Sequence, residues 1–388
     1  MILVHEFCVA KTREESFLQI IPASNGLFPF SQLYDSNRLR IYFDKAEALK
    51  RSRLFFPHLR SLLYFDTWNW EIKYSCIFRI LRICKLLRVL DLGEIDLGGI
   101  FPREVELLVH LRYLLIKSHL ESIPSAIANL SRLETFIIRC GGIVRLPNTI
   151  WTMKKLRHLC VFDFYDHGFM LPIENLDASP SLYHLQSLSL AIEASSQSLQ
   201  KILTKLPSIR RLECFEVESS DSTGSCNRII VLDSLTRLES LKVNFSGDFS
   251  FPLNLKKLAL VNYKQPWSEI STIGKLPNLE VLKLLFKSFL GHTWEMKEGE
   301  FLKLRFLKLV NLDIVRWIAS CDNFPPLQKL VLNDCWNLQE VPSCLGDIPT
   351  IEMIEVSGRE KSALTLVKQI QEQQVDMGND RLKILIRE

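Results

Sequence analysis

Eight histidines (5, 58, 110, 119, 158, 167, 184, 292), ten cysteines (8, 76, 84, 140, 160, 214, 226, 321, 335, 344) and the pair Gly274-Lys275 are where chemistry could start. They could bind a metal, attack a substrate or cradle a phosphate. A zinc site needs converging ligands, usually with a close pair such as C-x-x-C. No such pair occurs here, and the histidines fall in separate stretches with no cysteine or carboxylate at ligand spacing. His158 reads as an ordinary histidine on a strand face. Ile273-Gly274-Lys275-Leu276 lacks both the first glycine and the hydroxyl of a phosphate-binding loop. Neither a G-x-S-x-G elbow nor an H-E-x-x-H helix is present. The residues therefore predict no catalytic, cofactor-binding or metal-ligating group, and no enzyme.

The cysteines instead read as small buried hydrophobes, which places the chain in a reducing compartment. Two N-x-S triplets, Asn129-Leu130-Ser131 and Asn244-Phe245-Ser246, would be silent there. The start, Met1-Ile2-Leu3-Val4-His5-Glu6, meets a charge too soon for a signal peptide. No apolar stretch reaches the about 18 residues of a membrane span, so a soluble, cytoplasmic protein is expected. A net charge of +4 across 388 residues falls short of a nucleic-acid binder's basic footprint. With 47% hydrophobic and 24% charged residues, the chain has ample material for a continuous core.

The elements that would position any site follow from an internal repeat. The pattern apolar-x-x-apolar-x-apolar starts at 59, 87, 111, 133, 156, 185, 209, 238, 255, 279, 304, 327 and 351. All intervals run from 22 to 29 residues except one of 17. A fainter unit precedes them at Leu39 and Ile41. The end of the pattern alternates with period two, so one strand face points inward and the other outward. Leucines at steps of three and two do not trace a helical stripe. A returning segment then brings further apolar residues back: Phe101-Pro102 with Val105 and Leu108, Ile123-Pro124 with Ile127 and Leu130, Leu146-Pro147 with Ile150 and Met153, and Val341-Pro342 with Leu345 and Ile348. Proline marks where the chain leaves the strand layer. No single unit buries its own apolar face, so the units must stack. The predicted fold is an α/β leucine-rich-repeat solenoid, a horseshoe with a parallel sheet on its concave face.

Extra length at 163–168 and the polar run at 219–225 read as surface loops. Near the end, Ala363, Leu366, Val367 and Ile370 sit at helical spacing before Leu382-Lys383-Ile384-Leu385-Ile386, which predicts a helix-strand cap. The expected organisation is residues 1–35 as a leading segment, 36–360 as repeats and 361–388 as the cap.

What remains is surface. The second motif position reads Arg60, Arg88, Arg112, Glu134, Arg157, Gln186, Arg210, Glu239, Lys256, Glu280, Arg305, Gln328 and Glu352. Four of its first five members are arginine, a basic column suited to docking an acidic protein surface. Lys256, Lys257, Lys283, Arg305, Lys308 and Lys329 form a second cluster. Aromatics at strand exits, Phe65, Phe162, Phe215, Phe245 and Phe286, are candidate anchors or packing residues. The expected protein-binding concave face is Arg60, Arg88, Arg112, Arg157, Phe162, Arg210, Phe215, Lys256, Lys283, Arg305 and Lys308.

Several segments carry a family likeness: Leu87-Arg88-Val89-Leu90-Asp91-Leu92, "LPNLEVLKL" at 276–284, Trp294, "LRFLKLVNLDIVRW" at 304–317 and "SALTLVKQIQEQQVDMGND" at 362–380. "LQKLVLNDCWNLQEVP" at 327–342 fits L-x-x-L-x-L-x-x-C-x-x-L-x-x-L-P, with Cys335 at the cysteine position and Val341 replacing leucine. The chain thereby resembles the C-terminal part of plant intracellular nucleotide-binding leucine-rich-repeat immune receptors, of the coiled-coil, late blight resistance type. "VHEFCVAKTREESFL" at 4–18 resembles the tail of that family's nucleotide-binding module, whose own motifs are not seen here. The resemblance implies two jobs in defence. The basic early repeats would restrain a nucleotide-binding module, in cis or in trans, and later repeats would respond to a pathogen effector or a guarded host protein.

Rival readings differ in what they require. A receptor-kinase ectodomain would carry N-x-L-x-G-x-I-P repeats, cysteine pairs and a signal peptide. The substrate arm of an F-box ubiquitin-ligase adaptor needs an N-terminal helical box, where residues 1–50 hold a strand-like run instead. A non-functional receptor fragment is a third reading.

Overall fold

The computed structural model describes residues 19–21, 38–42, 58–65, 75–162, 168–192, 196–217, 229–320, 322–339, 341–357, 367–368, 370–372, 374–375 and 382–387. The chain divides into two compact units, residues 1–191 with 204–208, and residues 192–203 with 209–388. The expected loop at 219–225, most of that at 163–168 and nearly all of 1–35 lie outside the described residues.

The first unit holds β1 (Gln19–Ile21), β2 (Arg38–Tyr42), β3 (Ser61–Phe65), β4 (Val89–Asp96), β5 (Tyr113–Lys117), β6 (Thr135–Arg139), β7 (Val144–Arg145), β8 (His158–Val161), β9 (Phe169–Met170) and β10 (Ser187–Ile192, of which the last residue falls with the second unit). Strands β1 to β6, then β8 and β10, pair in parallel, each with the next. The leucine spacing sets the register. Leu62 pairs with Leu90, then Leu114, Phe136, Leu159 and Leu188, and every one is buried.

Parallel neighbours require a crossover, and here it is short. A helix, α1 (Ser75–Ile83), precedes β4, while α2 (Arg103–Glu106) follows it. The later returns use 3-10 turns at Ser125–Asn129 and Asn148–Thr152. Pro102, Pro124 and Pro147 each sit at the N-cap. Their carbonyls accept the N–H of Val105 (3.0 Å), Ile127 (3.1 Å) and Ile150 (3.0 Å). Proline's fixed φ suits the start of a helical turn, and each turn delivers one of these buried residues to the core. The sequence motif x-Pro-x-x-apolar is this turn.

The second unit holds α3 (Ser196–Thr204, of which its last residue falls with the first unit), β11 (Arg211–Glu216), β12 (Ile229–Val231), β13 (Ser240–Asn244), β14 (Asp248–Ser250), β15 (Lys257–Val261), β16 (Gln265–Pro266), α4 (Ile270–Gly274), β17 (Val281–Leu285), β18 (Phe289–Leu290), β19 (Thr293–Glu295), β20 (Phe306–Val310), β21 (Arg316–Ile318), β22 (Lys329–Asn333), β23 (Met353–Ser357) and β24 (Lys383–Arg387). Strands β11, β13, β15, β17, β20, β22, β23 and β24 form the parallel sheet in that order. Three smaller parallel pairs, β12–β14, β16–β18 and β19–β21, lie on the return side. The 17-residue interval does not disturb the sheet, since Leu241 still pairs with Leu258. The shortening falls in the return, where Leu255 N–H donates to the Pro252 carbonyl (3.1 Å).

The return side of this unit is aromatic. Trp267, Trp294 and Trp317 stack with ring centroids 4.9 and 5.0 Å apart and planes inclined by 14° and 2°. Phe289 stacks on Trp267, while Phe301 and Phe324 meet Trp294 edge-on. Each fully buried large apolar side chain contributes roughly 1.5–3 kcal/mol, so this column and the leucine column together make the core.

Candidate functional site

Alternation within each strand decides what faces outward. The fourth and sixth motif positions are the buried anchors, so the third, fifth and seventh form the open face. The second position lies just ahead of each strand and not on that face. Its carbonyl does a scaffold job, accepting two N–H groups from the next repeat. The Arg60 carbonyl takes Arg88 (2.7 Å) and Val89 (3.0 Å), Arg88 takes Arg112 (2.8 Å) and Tyr113 (3.0 Å), and Arg112 takes Glu134 (2.8 Å) and Thr135 (2.9 Å). Glu134 and Arg157 continue the series.

These bonds stack the side chains of Arg60, Arg88, Arg112, Glu134 and Arg157 along one edge of the first unit's sheet, about 4.8 Å per strand. All four arginines are exposed. Arg112 Nη1 lies 3.5 Å from Glu134 Oε1. An exposed pair of this kind is worth about 0–1 kcal/mol, so it leaves the column basic.

The open face beside that edge is less polar. Asp91, Leu115, Ile137 and Cys160 follow one another in the fifth position. Asp91 Oδ1 accepts the Gly93 N–H (3.0 Å). Burial raises its pKa, while the Gly93 hydrogen bond and Arg139 pull it down and Glu94 pushes it up. Arg139 Nη1 donates to the Gly93 carbonyl (3.0 Å) and to Glu94 Oε1 (2.5 Å). Its guanidinium lies 5.4 Å from the centre of the Phe162 ring. Phe162 is 64% exposed, and a large apolar ring held open under a cation fits an anchor. His158 Nδ1 is 3.0 Å from Ser187 Oγ on the same face.

In the second unit the fifth position reads Glu213, Lys242, Ala259, Lys283, Lys308, Val331, Glu355. Lys257 and Lys329 occupy the third position on β15 and β22. Partial burial lowers the pKa of Lys283, helped by the charges of Lys308, Lys242 and Lys257. Lys283 therefore sits among three other cations. Lys242 Nζ lies 5.4 Å over the Phe215 ring, and Lys283 Nζ 6.0 Å over Phe306. Lys329 Nζ pairs with Glu355 Oε2 at 2.9 Å.

The expected second cluster thus divides. Lys283 and Lys308 join Lys242 and Lys257 on the face. Arg210, Lys256 and Arg305 stand at the edge, where their carbonyls bond the next repeat and Glu239 and Glu280 alternate with them. Arg210 Nη1 lies 3.5 Å from Glu239 Oε1, so this edge is charge-balanced. Phe215 is only 5% exposed. Packed beneath Lys242, it cannot be an open anchor, and Phe245 is likewise buried. Sequence reading missed Lys242, because it followed the second position; counting the fifth would have found it.

Phe286, directly after β17, is 46% exposed and holds φ at +43°. Its counterparts in neighbouring repeats, Asn262, Asn311 and Asp334, also have positive φ. Asn and Asp tolerate that region, whereas a bulky ring there is strained.

Burial pushes the Cys84 and Cys214 thiols up to about 12 and Cys335 to about 11. Among the described residues no group of three or more His, Cys, Asp and Glu could hold a metal ion. Among them, too, no helix is long and apolar enough to cross a membrane.

Comparison with known proteins adds a lineage to this geometry. A family model described as "Leucine-rich repeat region" matches residues 58–265. Putative late blight resistance protein homolog R1B-16 of Solanum demissum is 38% identical over 80% of this chain and 24% of its own length. Homolog R1B-13 of that plant is 37% identical over 98% of this chain and 34% of its own. Late blight resistance protein R1-A of the same plant is 34% identical over 99% and 30%. The chain spans roughly a quarter to a third of the length of these relatives.

Proposed function

Since the chain belongs to the leucine-rich-repeat family, with late blight resistance proteins among its relatives, we propose that it performs two tasks in plant defence. One is to restrain a nucleotide-binding module; the other is to sense a pathogen effector or a guarded host protein. As a resistance-type repeat domain it is a recognition module and not an enzyme. The observation that carries the first task is the exposed Arg60, Arg88, Arg112 and Arg157 column, aligned by backbone bonds into one edge. An arginine ladder matches an acidic protein surface, with bidentate contacts to its carboxylates. The sensing task draws on the open faces of both sheets. Residues 361–388 would close the stack, as the pairing of β24 with β23 supports. Cys84, Cys214 and Cys335 are buried thiols, which fits a cytoplasmic site of action.

The test exchanges Arg88, Arg112 and Arg157 for glutamate in the full chain. Co-precipitation with the nucleotide-binding module of a late blight resistance relative should weaken, and weaken further with salt. Binding that is unchanged by the triple substitution sinks the restraint reading.

A further inference from the structure

We propose that the lysine patch of the second unit's sheet is a docking site for a short, extended, acidic protein segment with an apolar residue beside its carboxylates. This rests on the recognition role above and gives the sensed partner a chemistry.

The patch comprises Lys242, Lys257, Lys283 and Lys308 on four consecutive strands of the sheet, β13, β15, β17 and β20. Like charges so placed repel one another and favour an incoming anion. Among the described residues no carboxylate lies in ion-pair range of Lys257, Lys283 or Lys308. Lys283 also carries the cost of partial burial among the others. Between Lys242 and Lys283 the column shrinks to Ala259, which leaves room for a partner side chain.

The ends of the patch limit what can bind. Glu213 and Glu355 close the same column on either side, and Glu355 already pairs with Lys329. Glu239 and Glu280 stand along the neighbouring edge. A nucleic acid or an anionic membrane would have to cross these carboxylates. Four strands spaced about 4.8 Å apart span about 14 Å, the length of about four extended residues. A short acidic run fits that window.

Phe286 supplies the second part. It leaves the strand that bears Lys283 in a left-handed conformation that a bulky side chain rarely adopts, yet its ring is open. Strain kept at an exposed aromatic points to use of that ring. Phe306, half-buried under Lys283 and paired with Val281 at the other end of the strand from Phe286, adds apolar surface beneath the lysines themselves.

The experiment titrates the full chain with a fluorescent peptide bearing Asp-Glu-Asp-Glu-Leu between neutral flanks. A peptide with Asn-Gln-Asn-Gln-Leu is the charge control; inorganic polyphosphate and single-stranded RNA are competitors. The acidic peptide should bind at least about tenfold tighter than the amide peptide, with affinity falling as salt rises. Chains carrying Lys242→Glu, Lys283→Glu and Lys308→Glu should lose about tenfold or more, and the milder Lys→Gln set should lose part of that. Phe286→Ala should weaken binding of the Asp-Glu-Asp-Glu-Leu peptide and leave that of a peptide with Ser in place of the Leu unchanged. The Arg88, Arg112 and Arg157 variant should bind the peptide as the parent does, which separates failure here from failure of the restraint reading. Equal binding of both peptides overturns the proposal, as does indifference to the lysine substitutions. Tighter lysine-dependent binding of RNA or polyphosphate overturns it in favour of a general polyanion site.

Discussion

At positive φ, the difference between asparagine and phenylalanine is a difference of strain, and one column of this chain displays it. Asn262, Asn311 and Asp334 occupy the site that Phe286 shares. Replacing Phe286 with Asn should therefore stabilise the chain by about 1 kcal/mol, since a left-handed non-glycine residue costs of order 1–3 kcal/mol. A rise in the urea midpoint would show it, and a fall would mean that the ring is needed for packing. The buried thiols make a second residue-scale case. Their folded pKa values, about 12 for Cys84 and Cys214 and about 11 for Cys335, lie above the ordinary thiol value of 9.0. Above pH 9 the unfolded chain sheds these protons while the folded chain keeps them. Stability is thus full below pH 9 and declines as pH rises toward 11–12. Denaturant midpoints at pH 8 and pH 10 should differ in that direction, and substituting Cys84 and Cys214 with Val should flatten the slope.

Among elements, β4 depends on its neighbour in a way that its sequence does not show. Its pairing with β5 shifts between Leu92 and Asp96, and Gly93 sits in the irregular stretch. A Cβ on Gly93 would lie 2.0 Å from Leu115 Cδ2. Gly93→Ala should cost about 1–3 kcal/mol, the usual range for overpacking. In a double-mutant cycle Leu115→Ala should recover most of that loss, because the pair is in direct contact; strict additivity would refute the clash. Such details mark where sequence reading stops. The leucine anchors were legible because burial enforces their spacing, and the proline turns because φ does. The face was only half legible. The second position carries the scaffold carbonyls at the strand edge, whereas the outward alternation starts one residue later. Hence Lys283 and Lys308 were found while Lys242 was missed. Phe215 looked like an anchor because nothing in its neighbours states that it packs under Lys242.

Across the molecule, the two compact units differ in the surfaces they present. The first carries the arginine edge and a mostly apolar face, the second the lysine patch and the aromatic returns. The tryptophan stack was illegible in the sequence, because returns of unequal length bring Trp267, Trp294 and Trp317 into line only after the sheet has set their register. Removing its middle ring should be felt by one unit above all. Trp294→Ala should cost the second unit about 3–5 kcal/mol and separate its thermal transition from that of the first. Limited proteolysis would then cut within 209–388 before 1–191; simultaneous cleavage would show that the units unfold together.

That stack also has an optical consequence. Indoles held plane to plane at 4.9 and 5.0 Å couple their electronic excitations, so their near-ultraviolet circular dichroism belongs to the assembly and not to separate rings. The coupled band should vanish when the planes slip, before the backbone signal changes. The second unit therefore carries its own label-free gauge of whether an occupant on its far face tightens or loosens the stack behind.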